Sequence, residues 1–286
     1  MEIRVEGLRY VYAPKTPWSL EALHDVSFTV GSGQVLGILG TTGSGKTTLL
    51  KNLNGLLTPT SGSILLDGED VSLFRSQAPK MVGLVFQCPE RQLFEQTVLE
   101  DITFPFRIDN ELTDEEMVRR SRLACEDVGL DLEKIGGMRP NALSAASRRK
   151  LAIACVLVND PETLILDEPL ASMDPYSSLE LVRMIARMKS RQNRTIIIVS
   201  HDMAPFMTLL DLLMILDKGR LRAFGSCGDV FDEISDDAEL FKLAPPMAHL
   251  RQKLILNGFQ VPKNEFDPCA IVEHLSVAPE PKDFRK

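Results

Sequence analysis

The chain has 286 residues, of which 44% are apolar and 25% charged, and its formal net charge is −8 at pH 7. This length suits one large α/β domain with a small appendage, or two modest domains, and the acidic balance argues against nucleic acid as a partner. No apolar run of about 18 residues or more predicts a transmembrane helix, and the first ten residues lack the apolar core of a secretion signal.

The cysteines predict reduced thiols rather than a disulfide or zinc framework. Their number is odd, they are scattered, and their spacing does not match that of metal ligands. They are Cys88, Cys125, Cys155, Cys227 and Cys269.

Short apolar runs bounded by turn residues predict the buried strands of a mainly parallel sheet. They are uninterrupted and rich in Val and Ile, as strands covered on both faces usually are. By contrast, IRVEGLRYVY near the start and LMILDKGRLRAFG at 213–225 are interpreted as antiparallel edge strands, the second turning at Lys218-Gly219. The predicted buried strands are VLGIL (35–39), VGLVF (82–86), TLILD (163–167) and TIIIVS (195–200).

Helical signals replace this pattern between residues 97 and 158. Thr97 and Thr113 each begin a capping box with a glutamate three residues later, and Gly129 predicts the end of the second helix. The basic run 148–150 is interpreted as a solvated helix face. We therefore predict an α/β fold with a helical insert at about 97–158. A further helix is expected to begin at Asp174-Pro175.

After about residue 228 the chain leaves the predicted core. An acidic stretch at 229–239, the pair Pro245-Pro246 and a short helix opened by Asp267-Pro268 form a C-terminal appendage. We expect a main domain at 1–228 and an appendage at 229–286. The appendage is either a packing tail or a dimerisation or regulatory element, and the sequence favours neither.

The segment GTTGSGKT at 40–47 fits the phosphate-binding pattern G-x-x-x-x-G-K-[ST], between a predicted strand and an apolar helix. Its glycines allow successive N–H groups to point at phosphate oxygens. Lys46 is expected to contact the β and γ phosphates of ATP, and Thr47 to offer its hydroxyl to Mg²⁺. The predicted ATP-binding residues are Tyr12, Gly40, Thr41, Thr42, Gly43, Ser44, Gly45, Lys46, Thr47 and Thr48.

An Asp-Glu pair follows the strand TLILD, at the end where parallel sheets present their ligands. Asp167 is expected to hold Mg²⁺ through water, and Glu168 to orient and deprotonate the attacking water. Such base catalysis typically contributes ~10²–10⁴-fold. Together with the phosphate-binding loop at 40–47, the P-loop, the pair predicts transfer of a phosphoryl group from ATP to water.

Three further residues gain a role from this context, although each alone would more often be structural. Gln87 follows a strand and is a candidate ligand of Mg²⁺ or of the attacking water. His201 ends another strand and is expected to hold the γ-phosphate or the water network. Tyr12 is the choice for stacking on adenine, with Tyr10 as the alternative.

The order of these motifs resembles the ABC ATPase family over roughly residues 1–228. The P-loop, Gln87, the helical insert, LSAAS, ILDEP, SMD and SHD follow in that family's sequence. The resemblance implies a head-to-tail dimer, in which ATP lies between the P-loop of one subunit and the signature motif of the other.

The signature motif departs from the family pattern, which is normally LSGGQ. Ser144 is kept, but Ala145 and Ala146 replace the two glycines and Ser147 replaces glutamine. A Cβ at these positions obstructs the close backbone approach that glycine permits. The departure therefore concerns the half-site offered to the partner's nucleotide, and not the chain's own P-loop.

A narrower resemblance connects the chain with the ATPases of energy-coupling factor transporters. It rests on YVYAPKTP, ALHDVSF, NLNGLLTPTSGSILLDG, FQCPERQLFEQTVLEDI and FKLAPP. It implies an importer of a vitamin or a transition-metal ion such as cobalt or nickel. The implied partners are a second homologous ATPase in a heterodimer, a transmembrane scaffold and a substrate-binding membrane subunit. The chain would be peripheral, on the cytoplasmic face of the membrane, with Glu95 contacting a scaffold arginine.

Two other functions stay open on the sequence alone. LSAAS favours a degenerate, mainly regulatory ATP-binding partner, whereas the intact Lys46, Asp167, Glu168 and His201 oppose it. A soluble ABC protein acting on DNA or ribosomes is opposed by the single cassette and the acidic charge.

Overall fold

A computed structural model describes residues 1–107 and 112–277. Within these residues the strands form two sheets, a six-stranded core sheet and a four-stranded antiparallel sheet. The strands are β1 (Ile3–Tyr12), β2 (Leu20–Val30), β3 (Val35–Leu39), β4 (Ser61–Leu66), β5 (Glu69–Asp70), β6 (Val82–Val85), β7 (Thr163–Asp167), β8 (Thr195–Val199), β9 (Leu212–Asp217) and β10 (Arg220–Gly225).

The core sheet has the order β10-β9-β3-β8-β7-β6, and its strands are parallel except for β10, which pairs antiparallel with β9. The four predicted buried strands are confirmed, although β6 and β8 each end one residue before their predicted end. The predicted mainly parallel core is therefore correct.

The antiparallel sheet has the order β2-β1-β4-β5. The antiparallel pairing of β1 and β10 is confirmed, but the edge position is wrong for β1, which lies between β2 and β4. It is also wrong for β9, which pairs in parallel with β3. The reason is physical: the side-chain pattern of a strand indicates which of its faces are buried, but not whether both of its edges are paired.

The helices surround the core sheet, and those between β6 and β7 occupy the region predicted to be helical. The helices are α1 (Lys46–Leu53), α2 (Ala78–Met81), α3 (Val98–Arg107), α4 (Asp114–Asp127), α5 (Leu132–Ile135), α6 (Ala145–Leu157), α7 (Pro175–Gln192), α8 (Cys227–Glu233), α9 (Ala238–Phe241), α10 (Pro246–Leu256) and α11 (Pro268–Val277). None of the helices in the described ranges is long and apolar enough to cross a membrane.

The helix-start signals have local explanations in hydrogen bonds. Thr97 and Glu100 form the complete capping box: each side chain accepts from the other's backbone N–H. At Thr113 only half of the box forms, because the Glu116 carboxylate accepts from Arg119 and Arg120 instead. The predicted starts at Asp174-Pro175 and Asp267-Pro268 are confirmed.

Two hydrophobic clusters cover the two faces of the core sheet. In β3, Leu36 and Ile38 pack toward α1 and the antiparallel sheet, whereas Val35 and Leu39 pack toward the helices on the other face. Phe231 from α8 joins the second of these clusters. Residues of α9 and α10 belong to the same cluster, so that α8, α9 and α10 pack on the main domain, while the predicted domain boundary near residue 228 stays a prediction.

One expectation for the helical region is wrong. The basic run 148–150 was expected to form a solvated face of its helix, but Arg149 is only 4% exposed. It is buried because it makes an ion pair with Glu90, which lies in a short 3-10 turn, Pro89–Gln92, after β6. A buried guanidinium needs such partners, since an unpaired one would lose its hydration without compensation.

Candidate active site

The P-loop connects the buried strand β3 to α1, and its glycines are required by positive φ angles or by close contacts. Gly43 and Gly45 have φ angles of +80° and +102°, in the region that L-residues rarely adopt. A Cβ on Gly40 would lie 2.2 Å from the carbonyl oxygen of Leu216, which is too close for any side chain. The loop therefore has the shape in which backbone N–H groups surround an anion at the start of a helix.

The Lys46 ammonium folds back over this loop. Its Nζ donates to the carbonyl oxygens of Gly40 at 2.7 Å and Thr41 at 2.9 Å. Burial lowers the pKa of Lys46, and the negative charges of Glu168 and Asp167 oppose that shift. The lysine therefore lies close enough to both carboxylates to interact with them through space.

The parallel pairing of the core strands collects the other candidates at one edge. Val85 pairs with Leu166, and Asp167 with Val199, so that the carboxyl ends of β6, β7 and β8 coincide. Gln87 follows β6 and is exposed, Asp167 ends β7, and His201 follows β8. The P-loop follows β3, which is the neighbour of β8.

Asp167 is a buried carboxylate with both an acidic and a basic side chain nearby. Burial raises the pKa of Asp167, the charge of Glu168 raises it further, and the cation of Lys46 lowers it. A group in this environment gains from a nearby cation.

Glu168 has a φ angle of +51°, a left-handed backbone conformation that is rare for residues other than glycine. Such conformations cost about 1–3 kcal/mol and persist where the surrounding structure imposes them. Here the Glu168 N–H donates to the carbonyl oxygen of Val199 at 2.8 Å, which holds the turn against β8.

The carboxylate of Glu168 contacts His201. The distance from His201 Nδ1 to Glu168 Oε2 is 2.7 Å, and the hydroxyl of Ser200 lies 3.4 Å from the same oxygen. The Glu168 side chain is 14% exposed, whereas that of His201 is 76% exposed. The pair can therefore present an oriented proton acceptor at the edge of the site while the imidazole faces a ligand or solvent.

Tyr12, the candidate for stacking on adenine, lies beside the first turn of α1. Its hydroxyl is 3.1 Å from that of Thr48, and its ring packs edge to face on Tyr10 at a centroid distance of 4.8 Å. Burial raises the pKa of Tyr10, which is the more enclosed of the two rings. The contact with Thr48 favours Tyr12 over Tyr10 as the residue next to the nucleotide.

The signature residues lie at the start of α6, where they bond to one another. The Ser144 hydroxyl accepts from the backbone N–H of Ser147 at 3.1 Å and is 2.9 Å from the Ser147 hydroxyl. Ala145 and Ala146 form the first turn of the helix. The Ser144 hydroxyl is therefore hydrogen-bonded to both the backbone N–H and the side chain of Ser147.

Glu95, the candidate partner contact, is paired within the chain. Its carboxylate accepts from Arg107 at 3.1 Å, and its backbone N–H donates to Asp101, as does that of Phe94. The Phe94 side chain is exposed beside it. These hydrogen bonds thus fix the segment 93–97, which carries an apolar and an acidic side chain at the surface.

No sequence pattern predicted the contact of Arg149 with Glu90, which lies 59 residues away. Neither residue belongs to a recognisable spacing pattern, and the basic run suggested exposure. Only the fold brings α6 against the turn after β6.

The oxygen atoms at this edge suit a magnesium ion. Mg²⁺ prefers hydroxyl, carboxylate and amide oxygens together with water and phosphate. Thr47, Asp167 and Gln87 supply these groups, and the raised pKa of the buried Asp167 carboxyl indicates a site that gains from a cation. The residues therefore fit Mg²⁺ bound with a nucleotide.

A P-loop, an Asp-Glu pair and a histidine at the carboxyl edge of such a sheet define a nucleotide-hydrolysing ATPase. The family model described as ABC transporter matches residues 23–171. This ATPase hydrolyses ATP in connection with transport across a membrane.

Relatives define the family more narrowly. The energy-coupling factor transporter ATP-binding protein EcfA2 of Clostridium tetani is 39% identical over 269 residues, covering 93% of each chain. The protein of that name from Clostridium perfringens is 36% identical, covering 93% of this chain and 94% of its own. The chain belongs to the family of energy-coupling factor transporter ATP-binding proteins.

A solved structure agrees. CbiO1 from Clostridium perfringens, described as part of the ABC transporter complex cbiONQ, superposes with a TM-score of 0.71 at 31% identity. The match covers 87% of this chain and 98% of that one. The ABC ATPase fold, with its parallel core sheet and its antiparallel sheet, is confirmed.

Proposed function

We propose that this chain is the ATP-hydrolysing subunit that powers an importer for a vitamin or a transition-metal ion. The observation that carries the proposal is the grouping of Lys46, Asp167, Glu168 and His201 at one sheet edge, in a chain related to energy-coupling factor ATPases along 93% of its length. Because the residues expected to bind and hydrolyse ATP are all present, catalysis is favoured over a purely regulatory role.

In this proposal the P-loop amides and Lys46 bind the phosphates, and Tyr12 stacks on the base. Thr47, Asp167 and Gln87 would hold Mg²⁺, which would neutralise negative charge on the β and γ phosphates. Glu168 takes a proton from the attacking water, whose oxygen bonds to the γ phosphorus. ADP leaves with the electrons of the broken bond, and His201 keeps the carboxylate oriented.

The proposed partners are a second homologous ATPase, a transmembrane scaffold and a substrate-binding membrane subunit. The second ATPase would complete each nucleotide site with its signature motif. The scaffold would contact residues 93–97, and the chain would then lie at the cytoplasmic face of the membrane. The segment 93–97, which is fixed by hydrogen bonds and carries the exposed Phe94 and the acidic Glu95, supports this contact.

Replacing Glu95 with arginine is expected to release the chain from membranes that contain its scaffold. The change would place like charges together if a scaffold arginine pairs with Glu95, and it would also repel Arg107. Co-sedimentation of the co-expressed proteins with membranes measures the effect. Arg107→Gln is the matched control, because it frees Glu95 from its internal partner and should leave sedimentation intact.

Retention of the Glu95→Arg variant on membranes would remove Glu95 from the docking contact. Release of both variants would instead show that the internal ion pair shapes the segment. Failure of the unmodified chain to sediment with any co-expressed membrane subunit would contradict the proposed function.

The alternative of a regulatory role has one observation in its favour, the altered signature. Ser144 is engaged by Ser147, and alanines stand where a partner's nucleotide approaches the backbone. This supports a heterodimer with unequal sites, in which the site on this chain's P-loop hydrolyses ATP. A soluble ABC protein acting on DNA or ribosomes has no comparable support.

Restoring the signature tests this asymmetry. The triple change Ala145→Gly, Ala146→Gly and Ser147→Gln is expected to raise ATP turnover of the chain alone by about tenfold, because backbone donors to a reacting phosphate contribute at least that much. Ser147→Ala alone removes the bond between the two hydroxyls but keeps the bond from the backbone N–H of residue 147, and it serves as the control for the side-chain bond. If the unmodified chain alone is already as active as its heterodimer, the asymmetric arrangement is wrong.

A further inference from the structure

One buried side chain, Arg149, joins three segments of the active site. It lies one turn into α6 and is only 4% exposed. Its Nε and Nη2 donate to the two carboxylate oxygens of Glu90 at 3.2 and 3.1 Å. Its Nη1 donates to the carbonyl oxygens of Ala171 at 2.6 Å and Pro169 at 3.2 Å. All three nitrogens of the guanidinium group are therefore used.

The bonded groups belong to segments that carry the chemistry. Glu90 lies in the turn that begins directly after Gln87 and Cys88. Pro169 and Ala171 follow Glu168 in the chain, and α6 itself begins with the signature residues. One guanidinium thus connects the strand ends of β6 and β7 with the helix that faces a partner's nucleotide.

The segments around Arg149 contain three residues in left-handed backbone conformations. These are Cys88 at φ +53°, Glu168 at +51° and Ser172 at +60°, none of which is glycine. Such conformations persist only where neighbouring contacts impose them. The two carbonyl bonds from Arg149 fall between Glu168 and Ser172, where a restraint is needed.

The charge of Arg149 governs its carboxylate partner. Burial alone would raise the pKa of Glu90, but the hydrogen bonds and charge of Arg149 outweigh it, so the pKa lies below its ordinary value. The pairing is bidentate, which a lysine cannot reproduce because its ammonium lacks the planar fork.

We propose that Arg149 is a positioning residue, which holds the Glu168 loop in the geometry for activating water and links it to the turn after Gln87. This rests on the proposed role of Glu168 as the base. That turn adjoins residues 93–97, where the scaffold would dock. If the turn moved, the guanidinium of Arg149 would transmit the displacement to the Glu168 loop.

The test compares Arg149→Lys, which keeps the charge but loses the fork, with Glu90→Gln, which keeps the size but loses the charge. Lys150→Gln is the matched control, because Lys150 is the next residue of α6 and pairs with Glu180, away from the catalytic loop. Single-turnover hydrolysis of ATP by the chain bound to its partner ATPase, with the complex in excess over ATP, gives the chemical rate. Equilibrium titration gives ATP affinity, and thermal melting reports folding.

Arg149→Lys is expected to slow hydrolysis by about tenfold or more, since small displacements of a catalytic group have effects of this size. ATP affinity should stay within about twofold, because the P-loop is untouched. Glu90→Gln should act in the same direction, and the double variant should be no slower than Arg149→Lys, as expected for two residues of one unit. Lys150→Gln should hydrolyse at the unmodified rate.

Equal hydrolysis rates in Arg149→Lys and the unmodified chain would overturn the proposal. So would additive effects of the two changes, or a loss of rate that only follows a loss of folded protein. If Arg149→Lys does not fold, the test rests on Glu90→Gln. An unchanged hydrolysis rate in that variant would also overturn the proposal. The readout needs no membrane subunit, so a failure of the proposed transport function would appear separately, in the sedimentation assay.

Discussion

Replacing Glu168 with glutamine is expected to lower steady-state ATP turnover by ~10²-fold or more while ATP still binds. Glutamine keeps the size of the side chain and one oxygen acceptor for His201 Nδ1, but it cannot take a proton from water. The P-loop and Lys46 are unaffected. The bound state before hydrolysis should therefore accumulate, and a nucleotide-locked dimer should appear in size-exclusion chromatography with ATP.

The assay is phosphate release by the chain in complex with its partner ATPase. Glu180→Gln is a matched control, because it removes a carboxylate of α7 that pairs with Lys150, outside the site. Unchanged turnover in the Glu168→Gln variant would show that another group serves as the base. In the heterodimer with unequal sites, the equivalent change in the partner should matter little, which separates this chain's site from its partner's.

The parts of the fold that the sequence predicted well are those with a local physical cause. Uninterrupted apolar runs marked β3, β7 and β8, because strands buried on both faces have no polar side. Thr97 and Asp174 marked helix starts because their side chains satisfy N–H groups only a few residues away. These signals need no knowledge of distant residues.

The errors concern long-range partners. The sequence of β1 cannot show that β2 and β4 pair on both of its sides. Arg149 in a basic run appears exposed until α6 is packed against the turn that holds Glu90. The internal pair of Glu95 with Arg107 was missed for the same reason.

The candidate site was predictable to a similar depth. Glycine and lysine spacing located the P-loop, and the end of a buried strand located Asp167, because the chemistry requires these residue types at those points. The 2.7 Å contact of His201 with Glu168 depends on β7 and β8 being neighbours, which the sequence alone does not specify. The motif order of a known family supplied that pairing indirectly.

Replacing Lys46 with alanine is expected to weaken binding of Mg-ATP by roughly 10- to 100-fold, since hydrogen bonds to charged groups contribute about 1.5–3 kcal/mol each. The lysine is the side-chain cation that lies within the P-loop, bonded to its carbonyl oxygens. Burial lowers the pKa of Lys46, which means that the folded chain holds this ammonium at a cost. Its removal also takes away the two hydrogen bonds to the loop carbonyls. Because this loss offsets the relief of burial, the melting temperature of the free chain should stay nearly unchanged.

Calorimetric titration with Mg-ATP measures the affinity, and the melting temperature with and without the nucleotide gives an independent value, since a ligand stabilises the state that it binds. Lys51→Ala is the matched control, because it removes a positive charge from the last turn of the same helix, beyond the loop. The expected pattern is a large nucleotide-induced stabilisation in the unmodified chain and in Lys51→Ala, and a small one in Lys46→Ala. Equal affinity in all three would contradict the P-loop assignment, because it would mean that the Lys46 ammonium does not contact the bound nucleotide.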